Sequence, residues 1–330
     1  MATNTDVHIR PRARQFDMAL WFGHYGTIVS LILLILVFSA LQPTVFPTVG
    51  NLLNIMEQIS IQGTISVGLT ICLIMGLYDL SIAAMVTVGG YLCPFLLTVA
   101  PIPVVLGIAM TLLVAAGIGA INGAIVSYMG ISAFIATLAM GSILTGSVLG
   151  ISGSKSIVSG IPDSFMIIGQ GDIGGVPVAV IIMLLVVAFF WVVSEHTQFG
   201  RTLYAIGSNA EASRLSGIAT KRYPPLALSI CAVCSALGGV MASSTLGAGR
   251  PENIGDAYLL NAFASVFIGA STLTPGRFHI VGTVVGVLLI GIINNGLSIL
   301  GVATFWQYIV QGLLLIFALF SAGILKLRKS

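Results

Sequence analysis

Long apolar runs alternate with short polar segments along the whole chain. Three stretches carry no Asp, Glu, Lys or Arg: 39 residues from 18 to 56, 75 from 80 to 154 and 48 from 278 to 325. A membrane-spanning helix needs about 20 apolar residues, because each residue advances about 1.5 Å through a hydrocarbon core about 30 Å thick. The longest stretch can therefore hold three such helices, and each of the others can hold up to two.

Segments rich in Pro and Gly divide the apolar runs into ten predicted spans. These are 27–41, 61–77, 81–99, 103–126, 134–152, 177–194, 226–246, 258–270, 281–300 and 304–323. The eighth, 258–270, is too short to cross a membrane unless it begins earlier or continues through a broken stretch.

Composition indicates that the solvent of this chain is lipid. Hydrophobic residues make up 57% of the 330 residues and charged residues only 7%, whereas a soluble domain carries roughly a quarter charged residues. In hydrocarbon the backbone N–H and C=O groups must be satisfied within the spanning element, which favours helices. We therefore predict an all-α membrane protein, a polytopic bundle of about ten transmembrane helices. The net charge of +3 forms no basic stripe, so no nucleic-acid partner is expected.

The basic residues predict the orientation. With a cytoplasmic N-terminus and ten crossings, only Lys155 and Arg250 fall on the outer side. The basic residues on the inner side are then Arg10, Arg12, Arg14, Arg201, Arg214, Lys221, Arg222, Arg277, Lys326, Arg328 and Lys329. This bias follows the positive-inside rule, so both termini are predicted to be cytoplasmic. The chain is predicted to be one transmembrane domain, 1–330, with a cytoplasmic tail, 1–26, a periplasmic loop, 153–176, and a cytoplasmic loop, 195–225.

The long cytoplasmic loop contains a predicted short helix. Ser208 and Glu211 have the S-x-x-E spacing of a capping box, and Gly217 stands where a helix C-terminus favours a left-handed residue. The pattern predicts a helix over about 209–216 in an otherwise irregular loop. Eight residues do not hold a helix in water alone. The helix either docks on a partner or rests on the membrane surface of the protein itself, and the residues favour neither.

A few polar residues within the apolar runs are candidates for a translocation path. Asp79 precedes the third span, where capping of the helix is favoured over a role within the membrane. Asn122, Asn294 and Asn295 lie in apolar spans, and an Asn-Gly pair recurs at 122–123 and 295–296. Interhelical hydrogen bonding and lining a polar path are equally compatible with these amides.

No motif predicts catalysis. Cys231 and Cys234 form a C-x-x-C within an apolar segment, where packing is favoured over a redox or metal pair. The segment GISGSKS, 150–156, lacks the glycine before Lys155 that a phosphate-binding loop requires. The histidines, which form no ligand cluster in the sequence, are His8, His24, His196 and His279. We expect no catalytic residues, no metal site and no cofactor.

Four motifs occur in order along the chain: GLYDLSIAAMVTVGG, NGAIVSYMGISAFIATLAMGSILTG, FGRTLYAIGSNAEASRLSGI and IGASTLTPGRFHIVGTVVGVLLIGIINNGLSILGV. Together they resemble segments of permease subunits in the ribose/monosaccharide ABC importer family, within the branched-chain amino acid/sugar permease superfamily. The third of them is similar to the cytoplasmic coupling segment of that family.

This resemblance implies a multi-pass permease of the bacterial inner membrane that forms the path for a ribose-like monosaccharide. The implied partners are ATP-binding cassette ATPase subunits, a second permease subunit, identical or not, and a periplasmic sugar-binding protein. The residues implied to couple the permease to the ATPase are Ser208, Asn209, Glu211, Arg214, Leu215 and Gly217. We expect Leu215 to be buried in a groove of the ATPase and Arg214 to pair across the contact.

Two other functions remain open from the residues. One is an ion-coupled secondary transporter, which needs carboxylates within its spans; Glu57 and Asp79 are the nearest candidates. The other is an ABC permease for a solute that is not a sugar.

Overall fold

The computed structural model describes residues 18–100, 102–252, 254–272 and 276–327. Most of the predicted cytoplasmic tail, 1–26, lies outside these residues, as do Arg328 and Lys329 near the C-terminus.

The described residues form thirteen α-helices and one small antiparallel hairpin. The helices are α1 (Met18–Leu41), α2 (Val49–Ile74), α3 (Ile82–Val99), α4 (Val104–Met129), α5 (Ala133–Ser152), α6 (Asp163–Gln170), α7 (Val178–His196), α8 (Gln198–Ser208), α9 (Ala210–Leu215), α10 (Tyr223–Leu246), α11 (Asp256–Gly269), α12 (Ile280–Ile299) and α13 (Thr304–Leu327). The hairpin strands are β1 (Asp172–Ile173) and β2 (Val176–Pro177), and a 3-10 turn (Thr220–Arg222) precedes α10.

Each of the ten predicted spans falls on one helix of this series. Helices α2, α3, α4, α5, α7, α10 and α12 are long and apolar enough to cross a membrane. The prediction of a helical membrane protein is therefore confirmed.

Local chemistry decides where several helices begin and end. Thr48 Oγ1 accepts the amide N–H of Asn51 (3.2 Å) at the start of α2, and Ser132 Oγ accepts that of Ile135 (3.4 Å) at the start of α5. These side chains satisfy donors that lack a partner within the first helical turn. Helix α4 ends at Gly130, whose φ of 71° is a conformation that glycine adopts without a steric penalty.

Helices α2 and α10 form the centre of the bundle and run antiparallel. Thr64 of α2 contacts Met241, and Cys72 Sγ lies 3.3 Å from the carbonyl oxygen of Ala227 near the other end of α10. The most apolar 18-residue window of α2 is 89% buried, whereas those of α4, α5 and α7 are 22% buried. Helix α2 is therefore shielded by protein, and the other three present much of their surface outward.

Glycines allow the neighbours of α10 to approach its backbone. A Cβ atom built on Gly119 of α4 would lie 2.4 Å from the carbonyl oxygen of Leu228 in α10. One built on Gly239 of α10 would lie 2.0 Å from the carbonyl oxygen of Val86 in α3. Such contacts hold membrane helices together by close packing, because lipid provides no hydrophobic drive between them.

Irregular backbone precedes α11, the helix that holds the eighth predicted span. Residues 249–252 and 254–255, here called the extended leg, lie along α3 from Gly249, which packs against Pro94, to Gly255, which packs against Ala83. Those two contacts are eleven residues apart in α3, or about 16 Å at 1.5 Å per residue. Helix α11 therefore begins well inside the bundle. The irregular backbone before α11 is compatible with the predicted broken stretch, since irregular backbone is tolerated in a membrane protein where it lines a cavity.

Two sets of four helices, α2–α5 and α10–α13, have corresponding neighbours. Helix α10 packs on α4 as α2 packs on α12, and α3 packs on α5 as α11 packs on α13. The recurring Asn-Gly pairs lie on corresponding helices, with Asn122 in α4 and Asn295 in α12. Repeated halves of this kind are common in transporters. The recurrence of the Asn-Gly pair therefore coincides with a structural repeat.

The packing of α4 on α10 yields a matched pair of variants. Gly119→Ala should lower the thermal unfolding midpoint of the detergent-purified protein, because overpacking costs about 1–3 kcal/mol and exceeds the roughly 1 kcal/mol gained from helix propensity. Gly117→Ala, in the same helix but with no atom within 4 Å of its added Cβ, should leave the midpoint unchanged or raise it. Equal midpoints for the two variants would contradict the close α4–α10 contact.

Candidate functional site

A polar cavity of about 550 Å³ lies between α2, α10, α11, α12 and the extended leg. Five of its lining side chains are amides, contributed by α2, α11 and α12. They are Asn54, Gln58, Gln62, Asn261 and Asn294. Its charged lining residues are Glu57, Arg250 and Glu252. A cavity with this lining, enclosed by mainly apolar helices, is suited to a polar solute of small-molecule size.

Two buried amides form the cavity floor, the name used here for Gln62 and Asn261. Gln62 lies thirteen residues from the start of α2, about 20 Å along the helix. Its side-chain N–H donates to Ser66 Oγ (3.2 Å), while its carbonyl oxygen has no hydrogen-bond partner among the described residues. The same holds for the side-chain oxygen of Asn261. The cavity floor therefore holds two buried acceptors without partners.

Beyond the floor, α2 and α12 are in direct contact. The hydroxyls of Thr70 and Thr283, both buried, are 2.7 Å apart. Gly286 of α12 packs against the carbonyl oxygen of Ser265 in α11. These contacts lie between the cavity-lining residues and the end of α2 that meets α8.

The structure separates the two neighbouring asparagines of α12. Asn294 lines the polar cavity, and its side-chain oxygen accepts from Gln311 (3.0 Å). Asn295 is buried between α12 and α2, where its side-chain N–H donates to Asn51 Oδ1 (3.0 Å). Asn294 therefore lines the cavity, and Asn295 makes an interhelical hydrogen bond.

Asp79 and Asn122 lie together, away from the polar cavity. Asp79 is buried, and its carboxylate accepts the backbone N–H of Ser81 (2.9 Å). Asn122 donates to Ser81 Oγ (3.4 Å). Asp79 does not cap α3 as predicted, because the helix begins at Ile82 and Ser81 occupies the cap position. Its carboxylate stabilises the turn before the helix instead.

A second, side groove of about 500 Å³ lies between α3, α5 and the other face of the extended leg. Glu252 lines both the groove and the polar cavity, so the leg forms the wall between them. Asp256, in the first turn of α11, also lines the groove. Both carboxylates are exposed in this chain.

The segment 195–225 is mostly helical, contrary to the predicted irregular loop, because α8 and α9 follow one another directly. Ser208 is not the cap of the short helix, since it is the last residue of α8. Asn209 has the extended backbone of a cap residue, and its Oδ1 accepts the N–H of Ala212 (2.9 Å). Asn and Ser are comparable caps, so the S-x-x-E spacing selected the wrong one of two adjacent candidates.

At α9 the structure differs from the sequence prediction for Glu211 and agrees with it for Gly217. Glu211 accepts from Arg214 Nε (3.0 Å) rather than reaching back to a cap, and this ion pair holds the pKa of Glu211 below its usual value. Gly217 is left-handed at φ 85°, as predicted. Its N–H donates to the carbonyl of Arg214 (3.0 Å), and that of Ile218 donates to the carbonyl of Ser213 (3.1 Å), which completes a Schellman motif.

Helices α8 and α9 differ in what covers them. Leu203 and Ile206 of α8 are buried in the main core, and Gly207 packs against the carbonyl oxygen of Ile74 at the end of α2. Leu215 of α9 is 75% exposed. Helix α8 thus rests on the protein itself, and α9 presents an apolar side chain to its surroundings.

Sequence reasoning missed a cluster around Tyr204. Its hydroxyl donates to Glu195 Oε1 (2.8 Å) and lies 3.0 Å from the carbonyl oxygen of Phe278. The guanidinium of Arg277 lies 3.8 Å from the centre of the Tyr204 ring and 3.5 Å from Glu195 Oε2. Burial, reinforced by the bond to Glu195, raises the pKa of Tyr204 well above its usual value. No local motif joins residues 195, 204 and 277, so the sequence offered no signal for this link between α7, α8 and the start of α12.

Known proteins and a family profile match most of the length of this chain. The sequence profile of a family described as branched-chain amino acid transport system / permease component matches residues 51–319. The ribose import permease protein of Escherichia coli (strain K12) is 32% identical over 308 residues, covering 92% of this chain and 95% of that protein. The ribose import permease protein of Bacillus subtilis (strain 168) is 35% identical over 294 residues, covering 89% and 90%.

A third relative is the D-allose transport system permease protein of Escherichia coli (strain K12), which is 33% identical over 305 residues, covering 92% of this chain and 93% of that protein. No solved structure matches the chain.

The reassigned cap of α9 can be tested by amide hydrogen exchange. Asn209→Ala should speed exchange of the Ala212 amide about fivefold, because loss of a cap costs about 1 kcal/mol. Ser208→Ala should leave that rate nearly unchanged, since Ser208 Oγ is not the acceptor. A larger effect from Ser208→Ala would restore the cap that the sequence pattern favoured.

Proposed function

The chain belongs to the family of branched-chain amino acid transport system permease components, and from this premise we propose that it is the permease subunit of an ABC importer for a ribose-like monosaccharide. The polar cavity is the observation that carries the proposal, because its amide lining matches a neutral polyhydroxylated solute. The names of the relatives, which include ribose and D-allose permeases, support the substrate class. Long apolar helices and family membership make the chain a multi-pass protein of the inner membrane.

Transport of this kind needs partners. ATP hydrolysis is supplied by ATP-binding cassette subunits, and the sugar is delivered by a periplasmic binding protein. The exposed Leu215 on α9, beside the Glu211–Arg214 ion pair, supports this face as the ATPase contact. Helix α8, packed on the end of α2, is suited to transmit movement from that contact into the bundle.

A second permease subunit is supported by the side groove. Glu252 and Asp256 are exposed there, and a carboxylate facing lipid at this depth would cost about 2.5–3.5 kcal/mol. The adjoining face of α5 exposes Ser142 and Thr145, whereas α7 exposes apolar side chains such as Phe189. We assign the groove side of α3 and α5 to the subunit interface and the outer face of α7 to lipid.

The topology belongs to the same proposal. Ten spans with both termini in the cytoplasm make the whole chain, 1–330, one transmembrane domain. The tail 1–26 and the segment 195–225 then lie in the cytoplasm, and the loop 153–176 lies in the periplasm. In this orientation α2 begins at the periplasmic side, so the polar cavity faces the binding protein.

Accessibility of single cysteines tests the topology. The four native cysteines are buried, so the wild-type background is expected to be unreactive. A Ser156→Cys variant, with an exposed site, should react with an impermeant thiol reagent added to intact cells. A Ser216→Cys variant, on the exposed end of α9, should react only after lysis. Reversed labelling would refute the orientation.

The ATPase contact provides the test of function. Leu215→Asp should abolish ATP-dependent uptake of ribose into proteoliposomes and release the ATPase during purification, because loss of a buried interface anchor costs about 2 kcal/mol or more. Leu215→Met should retain both properties, since it keeps an apolar side chain of similar volume. Both variants should fold, because Leu215 is exposed in the isolated chain.

Three outcomes would contradict the proposal. Normal uptake and ATPase retention by Leu215→Asp would place the coupling contact elsewhere. Uptake driven by an ion gradient without the ATPase would favour a secondary transporter, for which Glu57 in the polar cavity is the candidate carboxylate. ATP-dependent uptake of a different solute class, with no uptake of sugars, would support the permease assignment and contradict the proposed sugar substrate.

A further inference from the structure

We propose that the cavity floor, Gln62 and Asn261, is a low-affinity selection site for neutral, hydroxyl-bearing solutes, so that the permease itself discriminates among the molecules it receives. This inference rests on the proposed function and names a site within it. Sequence reasoning did not single out either residue.

The primary observation is a pair of buried acceptors without partners. Gln62 and Asn261 are 6% and 8% exposed, and their side-chain oxygens have no hydrogen-bond partner among the described residues. Buried polar groups are nearly always paired, because a missing bond leaves the desolvation penalty uncompensated. Both residues line one cavity, so rotation of either side chain would bring its unpaired oxygen to a bound solute.

The irregular backbone before α11 explains how the two amides come to one place. Helix α11 begins inside the bundle, so Asn261 in its second turn reaches the depth of Gln62 on the neighbouring α2. Gln62 is further fixed by its bond to Ser66. One wall amide is therefore oriented by the protein, and the other lies on a helix whose start is set by the extended leg.

The chemistry of the floor selects the ligand class. An amide oxygen accepts hydrogen bonds, so its complement is a donor such as a hydroxyl group. The charged lining residues of the polar cavity, Glu57, Arg250 and Glu252, lie on α2 and the extended leg outside this pair. A volume of about 550 Å³ is ample for a monosaccharide, since ligand cavities span roughly 300–1,000 Å³. A neutral polyol is thus favoured over an ion.

Discrimination follows from the same geometry. A site built to bond a hydroxyl rejects an analogue that lacks it, because the buried acceptors then stay unpaired. Low affinity is compatible with transport, since a tightly held solute would not leave. The cavity floor therefore selects among the solutes that the binding protein delivers, without retaining them.

The test uses near-isosteric variants that remove the acceptors. Gln62→Leu and Asn261→Leu should each lower ATP-dependent ribose uptake by the complete importer about tenfold, with the unfolding midpoint unchanged or raised. They should also bring the uptake ratio of ribose to 2-deoxyribose towards one. Asn122→Leu is the control for the uptake ratio, because Asn122 is a buried amide with an unpaired side-chain oxygen that lies away from the polar cavity.

A second measurement needs no transport. In an Ala257→Cys variant, whose site lines the cavity, millimolar ribose should slow alkylation of the thiol, and the Gln62→Leu substitution should remove this protection. Absence of protection in the Ala257→Cys parent would overturn the inference. So would variants with unchanged uptake and sugar ratio, or variants whose lost uptake accompanies a lowered unfolding midpoint, since the amides would then be structural.

The two proposals fail differently. If the wild-type importer carries neither ribose nor any other sugar tested while ribose still protects the cysteine, the proposed function fails and the site stands. If uptake is normal and unaffected by the floor variants, the site fails and the function stands.

Discussion

Close backbone packing around α10 is the constraint on which the rest of the structure depends. Gly119 and Gly239 bring α4 and α3 so near to α10 that a single methyl group would overlap a carbonyl oxygen. In lipid this packing replaces the hydrophobic drive that holds soluble cores together. The described residues of the extended leg lie along α3, which is held in this way.

The leg in turn lines both the polar cavity and the side groove. It separates the polar cavity from the side groove, and it sets the depth at which α11 begins. A continuous helix in its place would satisfy its own backbone, but it would fill the space that the cavity occupies. Irregular backbone within a membrane is tolerated where it is surrounded by protein or lines a cavity. The irregular backbone before α11 and the polar cavity therefore depend on each other.

The sequence predicted the helices that apolar length determines, and it failed where tertiary contacts decide. All ten predicted spans lie on helices, because apolar length is a property of each segment alone. The cap of α9 was misassigned by one residue, since Ser208 and Asn209 both suit that role and only the end of α8 distinguishes them. Gln62 and Asn261 are single amides in apolar runs. Their significance arises from the side-chain oxygens that the fold leaves unpaired, which no spacing rule reveals.

The segment 195–225 contacts both α2 and the residues just before α12, the two helices that meet beyond the cavity floor. Gly207 of α8 packs on the end of α2, and Tyr204 lies beside the carbonyl of Phe278, just before α12 begins. Helices α2 and α12 are the two that meet at the Thr70–Thr283 hydrogen bond. A movement of α8 is therefore applied to both partners of this bond. Since packed interfaces are bistable rather than continuously deformable, we infer that such a movement shifts the α2–α12 contact between discrete arrangements.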